Sequence, residues 1–157
     1  MNFGMVVRLH TVHLRMILRT LYKMDYKQQI TSILIELFTN PKTTKIPDYF
    51  SSDYIANTSQ KTYHGLKIVS QWMKNLNRFL TDLKIEKLEF VHESKDTVVW
   101  IRTIKGKMKA TSHQNLKEGK VIKWEEMIVS KFKGSKIEEE WISSEFMGVL
   151  LSKSNKL

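Results

Sequence analysis

A chain of 157 residues, 41% hydrophobic and 27% charged, has the size and composition of one globular domain with a real core. It has no cysteine, which excludes disulfides and thiolate metal sites and is compatible with a reducing, cytoplasmic setting. The net charge of +10 raises nucleic acid as a partner, but lysine far outnumbers arginine and is spread through every predicted element, so the charge reads as a solvated surface and no nucleic-acid partner is expected.

Residues 1–24 carry Arg8, Arg15, Arg19 and Lys23 and no acid. Four-residue spacing puts Arg15, Arg19 and Lys23 on one face if this segment is helical. It is expected to be a basic N-terminal extension; the competing reading is a membrane-surface anchor. The arginines interrupt any signal-peptide core, and no apolar run reaches the roughly 18 residues that span a bilayer. Residues 25–157 then form a single domain.

Asp25, with Gln28 three positions on, has the spacing of a capping box. The apolar periodicity of Ile30, Ile33, Leu34, Leu37 and Phe38 predicts a helix over 25–38, stopped by Asn40-Pro41. Pro47 opens a short helical turn, and Asp53-Tyr54-Ile55 is extended. After Gly65, the stripe Val69, Trp72, Met73, Leu76, Leu80 and Leu83 predicts a second long helix to about Leu83.

The pattern then changes to period two. Leu88, Phe90 and His92 share one strand face, and Ser94-Lys95-Asp96 turns the chain. Thr97 to Lys105 is apolar on both faces: Val98, Trp100 and Ile104 on one, Val99, Ile101 and Thr103 on the other. Such a strand needs two covers, one from helices and one from a pocket or a second subunit. The segment 107–118 is polar and irregular. From Lys120 to Phe132, one face carries Ile122, Trp124, Glu126, Ile128, Ser130 and Phe132. Gly134 turns the chain, and the last strand groups Ile137, Glu139, Trp141 and Ser143. Helices followed by a meander give an α+β fold.

This layout resembles the SnoaL-like polyketide cyclase branch of the nuclear transport factor 2-like superfamily. The resemblance covers about 25–151 and rests on Tyr54-Ile-Ala-Asn57, Gly65, Asp96-Thr-Val-Val99 with Gly106, Gly119-Lys120, Gly134-Ser-Lys136-Ile137, Trp141, and Glu145 with Gly148. It implies a cone-shaped, curved antiparallel sheet wrapped around N-terminal helices, an apolar pocket at the open end, and homodimers paired through the sheet's other side. The family's chemistry is ring closure by an aspartate acid/base with a nearby histidine, and it requires no cofactor. Here the family's Gly-Thr-His is Gly106-Lys107-Met108, and its Pro-Pro-Thr-Gly loop is Leu116-Lys117-Glu118-Gly119. The inward aspartate falls on Ile122 or Ile128.

The residues themselves offer other candidates. Glu126 alternates with Trp124 and Ile128, so it points inward, and burial beside an indole would raise its pKa into a range useful for acid/base work. The alternative is a bulge that turns it to water, or a pair with a lysine on the next strand. His92 is the candidate general base, or else an idle strand-end histidine. His113 either reaches the pocket mouth or is a solvated loop residue. Asn57 can orient a ligand carbonyl or can serve a turn. Arg102 is a rim cation or a partner for the glutamates at 138–140. Trp72, Trp100, Met108, Trp124 and Trp141 line a pocket for a flat apolar ligand, or pack the core. The five histidines lack metal-ligand spacing, so neither a metal nor a cofactor is expected. The expected function is binding of a small apolar or aromatic molecule, with cyclase- or isomerase-type proton transfer by Glu126; the alternative is a non-catalytic ligand-binding or dimerisation module.

Overall fold

The computed structural model describes residues 25–109, 119–144 and 146. The expectations for the extension 1–24, for His113 and for Glu145 with Gly148 lie outside the described residues.

Helix α1 spans Tyr26–Thr39. The Asp25 carboxylate caps it by accepting from the Gln28 backbone N–H at 3.0 Å. Its buried face is Ile30, Ile33, Leu34 and Leu37, the stripe the periodicity marks. Helix α2 is the single turn Ile46–Tyr49, opened by Pro47. Strands β1 (Phe50–Thr58) and β2 (Thr62–His64) form a hairpin, and helix α3 follows over Lys67–Phe79. A meander completes the chain: β3 Leu80–Glu93, β4 Thr97–Met108, β5 Val121–Lys133 and β6 Lys136–Ser143.

Helix α3 ends at Phe79, four residues before the predicted end at Leu83, because Leu80 and Thr81 already pair with Met108 and Lys107 of β4. Leu80 and Leu83 continue the helical spacing, yet Leu80 is buried from a strand. Asp82 takes a left-handed φ of 52°, within one of three register shifts along β3. Extra residues on one strand of a pair bend it, so β3 curls at the sheet's edge. Gly106 permits the close approach there: a Cβ on it would stand 3.3 Å from the Thr81 carbonyl oxygen.

The six strands form one curved mixed sheet in the order β2-β1-β6-β5-β4-β3. The expectation of an all-antiparallel sheet is corrected at one pair: β1 runs parallel to β6. Helices α1 and α3 fill the concave side, where Trp72 meets Phe38 edge-on at 6.0 Å and Leu76 is fully buried. Val98, Trp100, Ile104, Ile128, Phe132 and Ile137 supply the sheet's half of the core.

Candidate functional site

The interior face of β4 and β5 carries one directly opposed charged pair, Arg102 and Glu126. The alternation that predicts an inward Glu126 holds, and its side chain has no exposed surface. Both its oxygens are occupied. Arg102 donates to Oε2 from Nε at 2.7 Å, and its Nη2 forms an ion pair with the same oxygen at 2.6 Å. Trp124 Nε1 and Ser144 Oγ donate to Oε1 at 2.9 and 3.0 Å. The partner is thus an arginine on the adjacent strand, where the sequence suggested a lysine.

A second buried acid, Glu140, lies on the same concave side, and sequence reasoning missed it. Its placement comes from a bulge. Phe132 pairs with Ile137 and Lys131 with Glu139, so Glu138 is the extra residue. A one-residue slip exchanges the faces of everything beyond it. Ile137 and Glu140 therefore face inward, while Glu139 and Trp141 face outward. The grouping of Ile137 with Glu139, Trp141 and Ser143 is corrected accordingly.

Glu140 accepts from Tyr54 Oη and from Ser130 Oγ, each at 2.6 Å, and Ser130 Oγ in turn accepts from Trp100 Nε1 at 2.9 Å. Burial pushes its carboxyl pKa up; the two hydroxyl donors and Arg102 oppose that, and nearby Glu126 adds to it. The phenol of Tyr54 is pushed well above its ordinary value, first by burial and then by Glu140, so it remains a donor. Among the described residues this interior holds two carboxylates and one guanidinium, and the guanidinium bonds to Glu126.

Glu140, Tyr54 and Arg102, with Thr58 and Tyr63, give polar atoms to the wall of a cavity of about 60 Å³. That is room for on the order of four waters or part of a small ring. Trp72 and Trp100 also border it, along with aliphatic side chains of α1, α3 and the sheet. The Arg102 guanidinium lies over both indoles, 4.6 Å from the Trp72 ring and 5.4 Å from the Trp100 ring.

The other candidates go elsewhere. His92 is exposed: the register shift after Phe90 sets it opposite Val99, on the sheet's outer face, so it does not join Glu126. Asn57 also faces outward, where it donates to Glu139 Oε1 at 2.8 Å and accepts from Thr62 Oγ1. Trp141 is 43% exposed on that outer face. Trp124 stacks on Phe146 with ring centroids 4.3 Å apart, and Met108 is buried, but neither borders the cavity. No group of three or more histidines and acids with metal-holding geometry occurs among the described residues. No helix among them is long and apolar enough to cross a membrane.

The buried pair makes a direct prediction. Arg102→Met leaves Glu126 without its counter-charge and should cost about 3–5 kcal/mol in urea unfolding. Adding Glu126→Leu should restore most of that loss. If Arg102→Met alone costs less than about 1 kcal/mol, the pair is not a structural unit.

The comparisons with known proteins agree with this architecture. No curated protein matches the chain. Among solved structures, a candidate polyketide cyclase from Acidithiobacillus ferrooxidans is 16% identical with a TM-score of 0.67, covering 83% of this chain and 95% of that one. AclR, a candidate hydroxylase from Streptomyces galilaeus, is 17% identical with a TM-score of 0.63, covering 83% and 87%. A nuclear transport factor 2-like protein from Anabaena variabilis is 17% identical with a TM-score of 0.59, covering 76% and 85%. At such identities the likeness is one of fold, and the different names show that this fold does not fix a reaction. The family model for SnoaL-like polyketide cyclase matches residues 28–151, and the chain belongs to that family.

Proposed function

We propose that this protein binds a small, uncharged apolar or aromatic molecule that inserts one end into the interior cavity, with Glu140 as its titrating group. The carrying observation is the composition of the cavity wall: a buried carboxyl whose pKa is raised, hydrogen-bonded to the Tyr54 phenol, among apolar side chains. In its protonated form a carboxyl can donate a hydrogen bond to a ligand carbonyl or hydroxyl, and a raised pKa extends the pH range in which that form is present. Proton transfer of the cyclase or isomerase type would use Glu140, because all the acceptor capacity of Glu126 is engaged by Arg102, Trp124 and Ser144.

A second reading, a non-catalytic ligand-binding member of the family, has its own support. His92 is on the outer face, and Glu126 has no free oxygen to act as a base, so Glu140 lacks the second catalytic group that acid/base chemistry commonly uses. Two measurements separate the readings. Phenol and cyclohexanone should raise the melting temperature of the native protein but not of Ala56→Leu, which puts added carbons into the cavity. Equal shifts in both proteins would remove the interior as the binding site. If the protein also speeds exchange of the cyclohexanone α-protons with deuterated water, and Glu140→Gln abolishes this, the catalytic reading stands. Binding without exchange leaves the non-catalytic reading.

We further propose a homodimer formed through the outer face of the sheet. Met127 and Trp141 lie there 47% and 43% exposed, beside half-buried Val99, Ile101 and Val129. Apolar residues on the uncovered face of a sheet favour a second cover. Sedimentation velocity should report a dimer that Met127→Glu converts to a monomer; a monomeric native protein would contradict this.

A further inference from the structure

The exposed face of α3 carries a feature unrelated to the interior cavity. Lys67, Lys74 and Arg78 project along it, and Lys42, in the loop after α1, forms the opposite wall of a groove of about 1010 Å³. Gln71 and Asn75 lie between the cations. The sequence has no acid between Asp53 and Asp82, and none between Glu36 and Asp48, so both walls come from acid-free stretches.

The ion pairs sharpen the contrast. Lys87, Lys105, Lys107, Lys123 and Lys133, all on the sheet, each have a carboxylate partner. None of the four groove cations has one among the described residues. Of the four acids that bound these stretches, Glu36 pairs with Lys45 and Asp82 with Lys107, while Asp48 and Asp53 pair with none of the groove cations. Positive charge is therefore locally balanced on much of the sheet and left unbalanced along α3, a field that concentrates anionic partners at a concave site.

We propose that this groove docks an extended, acidic segment of a partner protein. Three observations favour a polypeptide. From Lys67 to Arg78 the helix rises about 16 Å, the span of roughly five extended residues. Lys74 and Arg78 are separated by about 6 Å of rise, close to the ~6.7 Å between alternate residues of a strand, so carboxylates on alternate positions meet these two cations. Gln71 and Asn75 offer both donors and acceptors to a peptide backbone between those contacts. A nucleic-acid site would be expected to present aromatic platforms and several arginines; this groove has one arginine and no aromatic lining residue. A membrane face would carry exposed apolar residues, and among the described residues the large exposed hydrophobics all lie elsewhere.

The test uses the full chain and fluorescence anisotropy with a labelled eight-residue Glu-Ser repeat peptide. A labelled DNA duplex and vesicles with anionic lipid serve as competing probes. Two variants carry the same change in net charge: Lys67→Glu/Lys74→Glu in the groove, and Lys84→Glu/Lys95→Glu on and beside the sheet. Circular dichroism checks that both are folded. The expected result is peptide binding that weakens with salt, falls about tenfold or more in the groove variant, and changes less than about twofold in the control. Equal losses in the two variants would reduce the effect to net charge and overturn the proposal. So would an absence of peptide binding, or a groove-dependent preference for the duplex or the vesicles.

Discussion

The hydrogen-bonded ion pair between Arg102 and Glu126 is the constraint on which the interior depends. Two buried charges that face each other across β4 and β5 can be tolerated only if they neutralise each other and their remaining polar atoms find partners. Arg102 does this with two nitrogens on one carboxylate oxygen, while Trp124 and Ser144 fill the other. The guanidinium lies within 4.6 Å of the Trp72 ring and 5.4 Å of the Trp100 ring, so its position is coupled to the two indoles that border the cavity. One arginine, however, cannot neutralise two acids. Glu140 has hydroxyl hydrogen-bond partners alone, and burial raises its pKa against their pull and that of Arg102, which makes it the chemically distinct group of the site.

Much of this architecture was legible in the sequence, for physical reasons. Helices α1 and α3 advertise themselves by apolar spacing at 3.6 residues per turn, and Asp25 by its capping position. Period-two alternation correctly turned Trp100, Glu126 and Ile128 inward. Two kinds of information were absent. Register is one: Arg102 and Glu126 are 24 positions apart, and their opposition depends on how β4 and β5 are aligned. Bulges are the other. The run Glu138-Glu139-Glu140 offers an acid to either face, so no hydrophobic pattern reveals that Glu138 is the extra residue and Glu140 the buried one. A similar slip at Val91 carries His92 away from the face of Leu88 and Phe90. The end of α3 was obscured because Leu80 suits the helical stripe and the strand pairing equally well.

Membership of the family fixes the frame and leaves the chemistry to particular side chains. Met108, which the sequence resemblance set at the family's histidine, is buried away from the cavity, and Glu126 is held by Arg102. What the fold preserves is a shape: a curved sheet whose concave side retains a small space beside the helices. The two outer surfaces differ in kind. The sheet's back offers half-exposed apolar residues suited to a second copy, whereas α3 offers unpaired cations suited to an acidic partner.

Arg102 bonds to Glu126, and Glu140 is left as a buried acid without an ion-pair partner whose pKa burial raises. The most direct test is a pH titration of the glutamate side-chain carboxyl carbons by carbon-13 NMR, with Glu140 assigned by its loss in Glu140→Gln. The Glu140 resonance should titrate above the ordinary glutamate range of about 4.3, while the salt-bridged surface acids Glu36 and Glu86 titrate below it. A Glu140 midpoint at or below that of the surface acids would contradict the claim.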